Sequence, residues 1–276
     1  MSIENILVSY NGTDPANAAV RLAALLAKRH DAHLTGLFAR STPATYAGLE
    51  SYMPSETLNL LYRQEEAQTR VIETQFHELV AAEGMTGRTS FFEEQGPPDS
   101  ICSEYARTYD LAVLGQPLGD MWEAWHEPHP DTVALQSGRA VLIAPREFRG
   151  TDLHGSALLA WDGKRAAARA LSEAMGLLEE HQKVLVLHVG ENDAEIRKPG
   201  RDIMEHLSRH GLEAELLIEP RAGRSVGQTV LQMARGVAPG LMIMGAYEHS
   251  RLSEAILGGV TKDVLGHATT PVLIAH

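Results

Sequence analysis

The chain of 276 residues contains a single cysteine, Cys102. No intrachain disulfide can form. That excludes a secreted disulfide scaffold and a cysteine-rich metal module, and it fits a reducing cytoplasm. Positive charge is also short: 24 Lys and Arg stand against 36 Asp and Glu, a formal charge of −12 with a pI near 5.5. Such a chain repels polyphosphate surfaces at long range, and its basic residues are scattered, so nucleic acid is not an expected partner. No apolar stretch approaches the roughly 20 residues that span a bilayer, so no membrane role is expected. The opening Met-Ser-Ile-Glu-Asn lacks a basic n-region, and no signal peptide is expected. What is present is ordinary for a soluble globular protein: 44% apolar and 22% charged residues. At roughly 150 residues per domain, the length predicts about two domains.

The chain repeats itself. Ile6-Leu-Val-Ser-Tyr-Asn-Gly12 returns as Ala157-Leu-Leu-Ala-Trp-Asp-Gly163, an offset of 151. Leu111-Ala-Val-Leu-Gly115 returns as Leu241-Met-Ile-Met-Gly245, and Ala140-Val-Leu-Ile-Ala144 as Pro271-Val-Leu-Ile-Ala275. The later offsets are 130 and 131, so the first half carries about 20 extra residues, placed within 40–65. The junction falls near Arg149-Gly150-Thr151, which predicts domains over 1–149 and 150–276. Short apolar runs without alternation predict strands buried on both faces: 4–9, 33–39, 90–94, 111–114 and 140–143, then 156–161, 183–189, 214–218, 241–244 and 271–275. Helical spacing predicts helices over 14–30, 55–83, 97–109, 165–180, 196–210, 224–236 and 259–267. Asp14-Pro15 supplies a start signal for the first. Alternating strand and helix gives an α/β fold of two tandem open, doubly wound domains, each with a five-stranded, mostly parallel sheet.

In such sheets ligands gather where strands lead into helix N-termini. Two places in the second half qualify. One is Trp161-Asp162-Gly163, where Asp162 either accepts bonds from a sugar hydroxyl or shapes a turn. The other runs from Gly245 through Ala-Tyr-Glu-His to Gly258-Gly259-Val260-Thr261. Glycines before a helix let backbone N–H groups approach phosphate, and Thr261 adds a hydroxyl.

These runs resemble a tandem universal stress protein, over essentially the whole chain and most specifically over 241–275. The resemblance implies an adenine nucleotide alpha hydrolase-like fold. It also implies that the halves pair as a pseudo-dimer through their final strands, 140–144 and 271–275. Many members bind ATP through a loop spaced Gly, two residues, Gly, nine residues, Gly, Ser or Thr. Here the first glycine is Gly245 and the third Gly258. Glu248 replaces the second, and Gly259 stands at the Ser/Thr position. By the same resemblance Asp162 contacts ribose, the backbone near Val189 meets adenine, and Gly258, Gly259 and Val260 wrap the phosphates. His249 is a candidate phosphate contact from inside the loop.

The first half departs further. Asn11 stands for Asp162, Leu118 for the second glycine, and Pro117, Pro128 and Pro130 restrict the loop. It is expected not to bind ATP. His126 and His129 with Glu127 are read as a proline-rich loop rather than a metal site, and Trp122 and Trp125 as cleft or packing residues. Tyr46, Tyr52 and Met53 are candidate lid or interface residues. Leu60, Tyr62, Val71, Phe76 and Leu79 are expected on an amphipathic helix over the sheet. His188 is expected inside a buried strand, and Cys102 in a helix core. No catalytic constellation is evident. The function expected is a cytoplasmic, non-catalytic stress-response module that binds ATP, with or without Mg²⁺, or AMP or ADP, in its second half and signals to a protein partner. Homodimerisation of the chain is compatible with this. The alternatives are a slow metal-assisted ATP hydrolase using Glu248 and His249, and a ligand-free interaction module.

Overall fold

The computed structural model describes residues 2–40, 53–85, 87–117, 127–149, 153, 155–178, 181, 183–191, 198, 201–246 and 259–276. Within them the first half runs β1 (Asn5–Ser9), α1 (Asp14–His30), β2 (His33–Arg40), α2 (Ser55–Ala82), β3 (Thr89–Gln95), α3 (Pro98–Ala106), β4 (Leu111–Gly115), α4 (Pro130–Ser137) and β5 (Val141–Ala144). The second half runs β6 (Ser156–Ala160), α5 (Arg165–Leu178), β7 (Lys183–Val189), α6 (Ile203–Arg209), β8 (Ala214–Glu219), α7 (Val226–Val237), β9 (Leu241–Gly245), α8 (Gly259–His267) and β10 (Val272–Ala275).

Local chemistry explains the elements. Thr13 caps α1 by accepting from the Ala16 N–H, Pro15 fits the first turn, and Lys28, Arg29 and His30 sit at the negative end of the helix dipole. In β1, Ile6, Leu7 and Val8 are all fully buried, as a strand covered on both faces must be. Alternate residues feed two layers. Ile6 and Val8 belong to the layer that includes α1, α2, α5 and α6, while Leu7 belongs to the layer that includes α3, α4, α7 and α8.

Both half-sheets are parallel, and they join into one ten-stranded sheet of order β3-β2-β1-β4-β5-β10-β9-β6-β7-β8. The seam is antiparallel, with Leu142 opposite Leu273. The pairing through final strands is therefore present, and both core layers cross the seam. Because the seam reverses strand direction, the carboxyl ends of the two half-sheets lie on opposite edges.

Four expectations need correction. The stretch over 130–137 is a helix, not loop: Pro130 sits in its first turn, where the missing N–H costs nothing, and Gly138 closes it at φ 71°. The helix expected to 109 ends at Ala106. The helix expected over 196–210 begins at Ile203, after the cap Asp202. On α2, Ile72, Phe76 and Val80 are buried, but Leu60, Tyr62 and Val71 face solvent. Tyr46, Tyr52, Leu118, Trp122, Trp125, His126 and the junction Gly150-Thr151 lie outside the described residues. No helix among the described residues is long and apolar enough to cross a membrane.

Candidate functional site

Strand order reverses between β1 and β4 in one half and between β6 and β9 in the other. A crevice opens at the carboxyl ends of each such pair, since the helices that follow leave in opposite directions.

In the second half, Trp161 and Asp162 follow β6 and Gly245 ends β9, so the two sequence-predicted places meet at one reversal point. Val189 ends the neighbouring β7. Asp162 Oδ1 accepts the Lys164 N–H at 3.0 Å, and Gly163 takes φ 76°. Asp162 thus shapes a turn, and its exposed carboxylate still borders the crevice. Gly245 is fixed by packing: a Cβ there would lie 2.6 Å from the backbone of Ala166 and Ala167, in the first turn of α5. Gly259 is different. It has no positive φ, and among the described residues an added Cβ would meet nothing within 4 Å. Thr261 is buried at 3% exposure and Val260 is half-buried. The start of α8 is held by α7, where the Ser225 hydroxyl donates to Asp263 Oδ2 at 3.1 Å. Gly227 lets the helices meet, since its Cβ would lie 2.8 Å from that of Asp263. Glu248, His249 and Gly258 lie outside the described residues, and with them both groups on which hydrolysis would depend.

Lys164 immediately precedes α5 and Arg165 opens it. Cations at a helix N-terminus oppose the dipole, so they carry a cost unless an anion joins them. Arg165 is steered by a relay. His276 Nδ1 lies 2.8 Å from the Ala246 carbonyl, so it donates there, and Nε2 accepts from Arg165 Nη2 at 3.2 Å. The offset of 151 pairs Lys164 and Arg165 with Thr13 and Asp14, a signal that was legible.

The first half repeats the scaffold and inverts the charge. Asn11 Oδ1 accepts the Thr13 N–H at 3.1 Å, as Asp162 does for Lys164. A Cβ on Gly115 would lie 2.6 Å from the Pro15 backbone, the counterpart of Gly245 and Ala166. But α1 opens on Asp14, and the crevice is lined by Ser9, Asn11, Pro15, Gly115, Glu127 and Pro128. Glu127 Oε1 lies 3.3 Å from the Thr13 hydroxyl, so a carboxylate of the chain itself sits at the helix start. His129 caps α4, and its N–H donates to Asp99 Oδ1 at 2.6 Å. The bond to Asp99 raises the imidazole pKa above its usual value against a smaller desolvation effect, with Asp131 and Glu127 adding to the rise.

The halves also touch through Gln116, just past β4. Its buried amide donates to the carbonyls of Leu265 at 2.7 Å and Ala268 at 3.1 Å, at the far end of α8. Cys102 is buried in α3, where burial, with a smaller push from Asp99, lifts its thiol to about 12; it is inert as a nucleophile. Among the described residues, no group of three or more His, Cys, Asp or Glu could hold a metal ion.

Comparison with curated proteins gives no match. Among solved structures, a universal stress protein from Archaeoglobus fulgidus DSM 4304 superposes with a TM-score of 0.77 at 15% identity, covering 100% of this chain and 99% of that one. One described as a putative universal stress protein from Pseudomonas aeruginosa UCBPP-PA14 gives 0.55 at 17% identity, covering 99% and 93%. These establish the tandem α/β fold. The model of the universal stress protein family matches residues 2–116 and 155–276, the two repeats in turn. The chain belongs to the universal stress protein family.

Proposed function

We propose that the second half binds an adenine nucleotide at the β6/β9 reversal point and that the first half does not. The chain then divides into a scaffold domain over 1–149 and a nucleotide domain over 150–276. Occupancy sets the surface that residues 245–261 present to a protein partner, and the chain works as a regulatory module in the cytoplasm. Asp162 takes the ribose, the strand end at Val189 the base, and Gly258, Gly259, Val260 and Thr261 the phosphates. Lys164 and Arg165 add the counter-charge.

One observation carries this reading. Two crevices of the same construction differ in charge at the same place: Asp14 and Glu127 in one, Lys164 and Arg165 in the other. A phosphate is repelled by the first set and stabilised by the second. The fit with a nucleotide rests on Arg165, a cation in the first turn of α5 at the strand-order reversal.

The test is native mass spectrometry of protein purified without added nucleotide, followed by thermal unfolding with ATP. The expected result is one adenylate per chain. ATP at 100 times its dissociation constant should stabilise the fold by about 2.7 kcal/mol. An unchanged melting temperature with ATP, ADP and AMP overturns the reading and leaves the ligand-free module.

A further inference from the structure

His188 is the penultimate residue of β7 and is half-buried. Its Nδ1 lies 3.2 Å from the Trp161 carbonyl oxygen, the residue just past β6. A carbonyl only accepts, so Nδ1 carries the hydrogen and Nε2 is left as a lone-pair acceptor. Nε2 has no hydrogen-bond partner among the described residues. Gly190, two residues on, makes room for the ring: an added Cβ would lie 2.3 Å from Nε2. The backbone at Gly190 does not require glycine, because its φ is not positive; the ring does. The ring edge therefore stands at the carboxyl ends of β6 and β7, next to Val189. A side chain whose tautomer is fixed, and whose acceptor has no partner among the described residues, is set up to receive a donor from outside the chain.

We propose that His188 is a specificity residue that reads the edge of the bound base: Nε2 accepts a hydrogen bond from the exocyclic amino group of adenine. The assignment rests on the nucleotide reading above. A 6-oxo purine brings an oxygen lone pair against the nitrogen lone pair, so the bond is lost and two acceptors oppose each other. One such bond corresponds to about tenfold in affinity.

Isothermal titration of the full chain with ATP and with inosine triphosphate tests this. The native protein should favour ATP by about tenfold. His188→Phe should bind the two within about twofold, mainly through weaker ATP binding. His188→Gln, smaller and polar, serves if the phenylalanine variant does not fold. Its amide donates as readily as it accepts, so it too should erase the preference. A preference that survives in either folded variant, or its absence in the native protein, overturns the role of His188 while leaving nucleotide binding intact. Failure of the native protein to bind either triphosphate, with ADP and AMP also failing to bind, overturns the nucleotide reading itself.

Discussion

The two halves share a skeleton and differ at its mouth. Gly115 against Pro15 and Gly245 against Ala166 are the same close approach, at 2.6 Å for an added Cβ in both. The turns of Asn11 and Asp162 use the same side-chain bond. Yet one helix opens on Asp14, beside the Glu127 carboxylate, and the other on Arg165, preceded by Lys164. Packing requirements tolerate little change after duplication, because a methyl group against backbone has nowhere to go. Charge at a solvent-facing rim changes at small cost in stability, so the halves diverge there in what they can hold.

The shared part is tested by the largest expected effect. Gly115→Ala and Gly245→Ala should each lower stability by about 3 kcal/mol in urea unfolding, because the new carbon meets main chain. Unequal losses would break the equivalence of the two crevices. Next comes the seam. Gln116→Ala strips donors from two helix-end carbonyls and should cost about 2 kcal/mol, read from the same curves. A loss near zero would mean that water replaces the amide. The differing part is probed by Arg165→Asp, which writes the first half's charge into the second. ATP affinity should fall roughly tenfold to a hundredfold at low salt, and less at high salt. An affinity indifferent to the reversal would remove Arg165 from the site.

The smallest effect distinguishes the two helix pairs by pH. In the first half His129 is tied to Asp99 and its pKa is raised. The stability it contributes is fully present below the unfolded histidine pKa, near 6.5, and is lost as pH rises through the higher folded value. The matching contact in the second half, Ser225 to Asp263, contains no histidine. An NMR titration should place His129 above an exposed histidine, and Asp99→Asn should bring it down. The energetic effect is small, because the pair is largely exposed.

Much of the fold was legible because repeats and buried runs are local signals. Leu111–Gly115 and Leu241–Gly245 declare themselves as strands, and their glycines mark where helices come close. Helix α4 was hidden by Pro128 and Pro130, which read as breakers until one sees that Pro130 occupies the first turn. Leu60, Tyr62 and Val71 misled by composition, since α2 is far longer than the face it buries. At the site, the repeat alignment pointed to the Asp162 turn and the Gly259 helix start. Glu127 was not legible, because its contact with Thr13 spans 114 residues of chain. Nor was the His188 tautomer, which depends on the carbonyl of Trp161, 27 residues earlier.

The reversed seam between β5 and β10 has a practical meaning. It turns the molecule into a plank with a port at each end, facing away from each other. Anything that covers one port leaves the other uncovered. Gln116, sitting beside the acidic port and gripping the tail of α8, ties one half to the other.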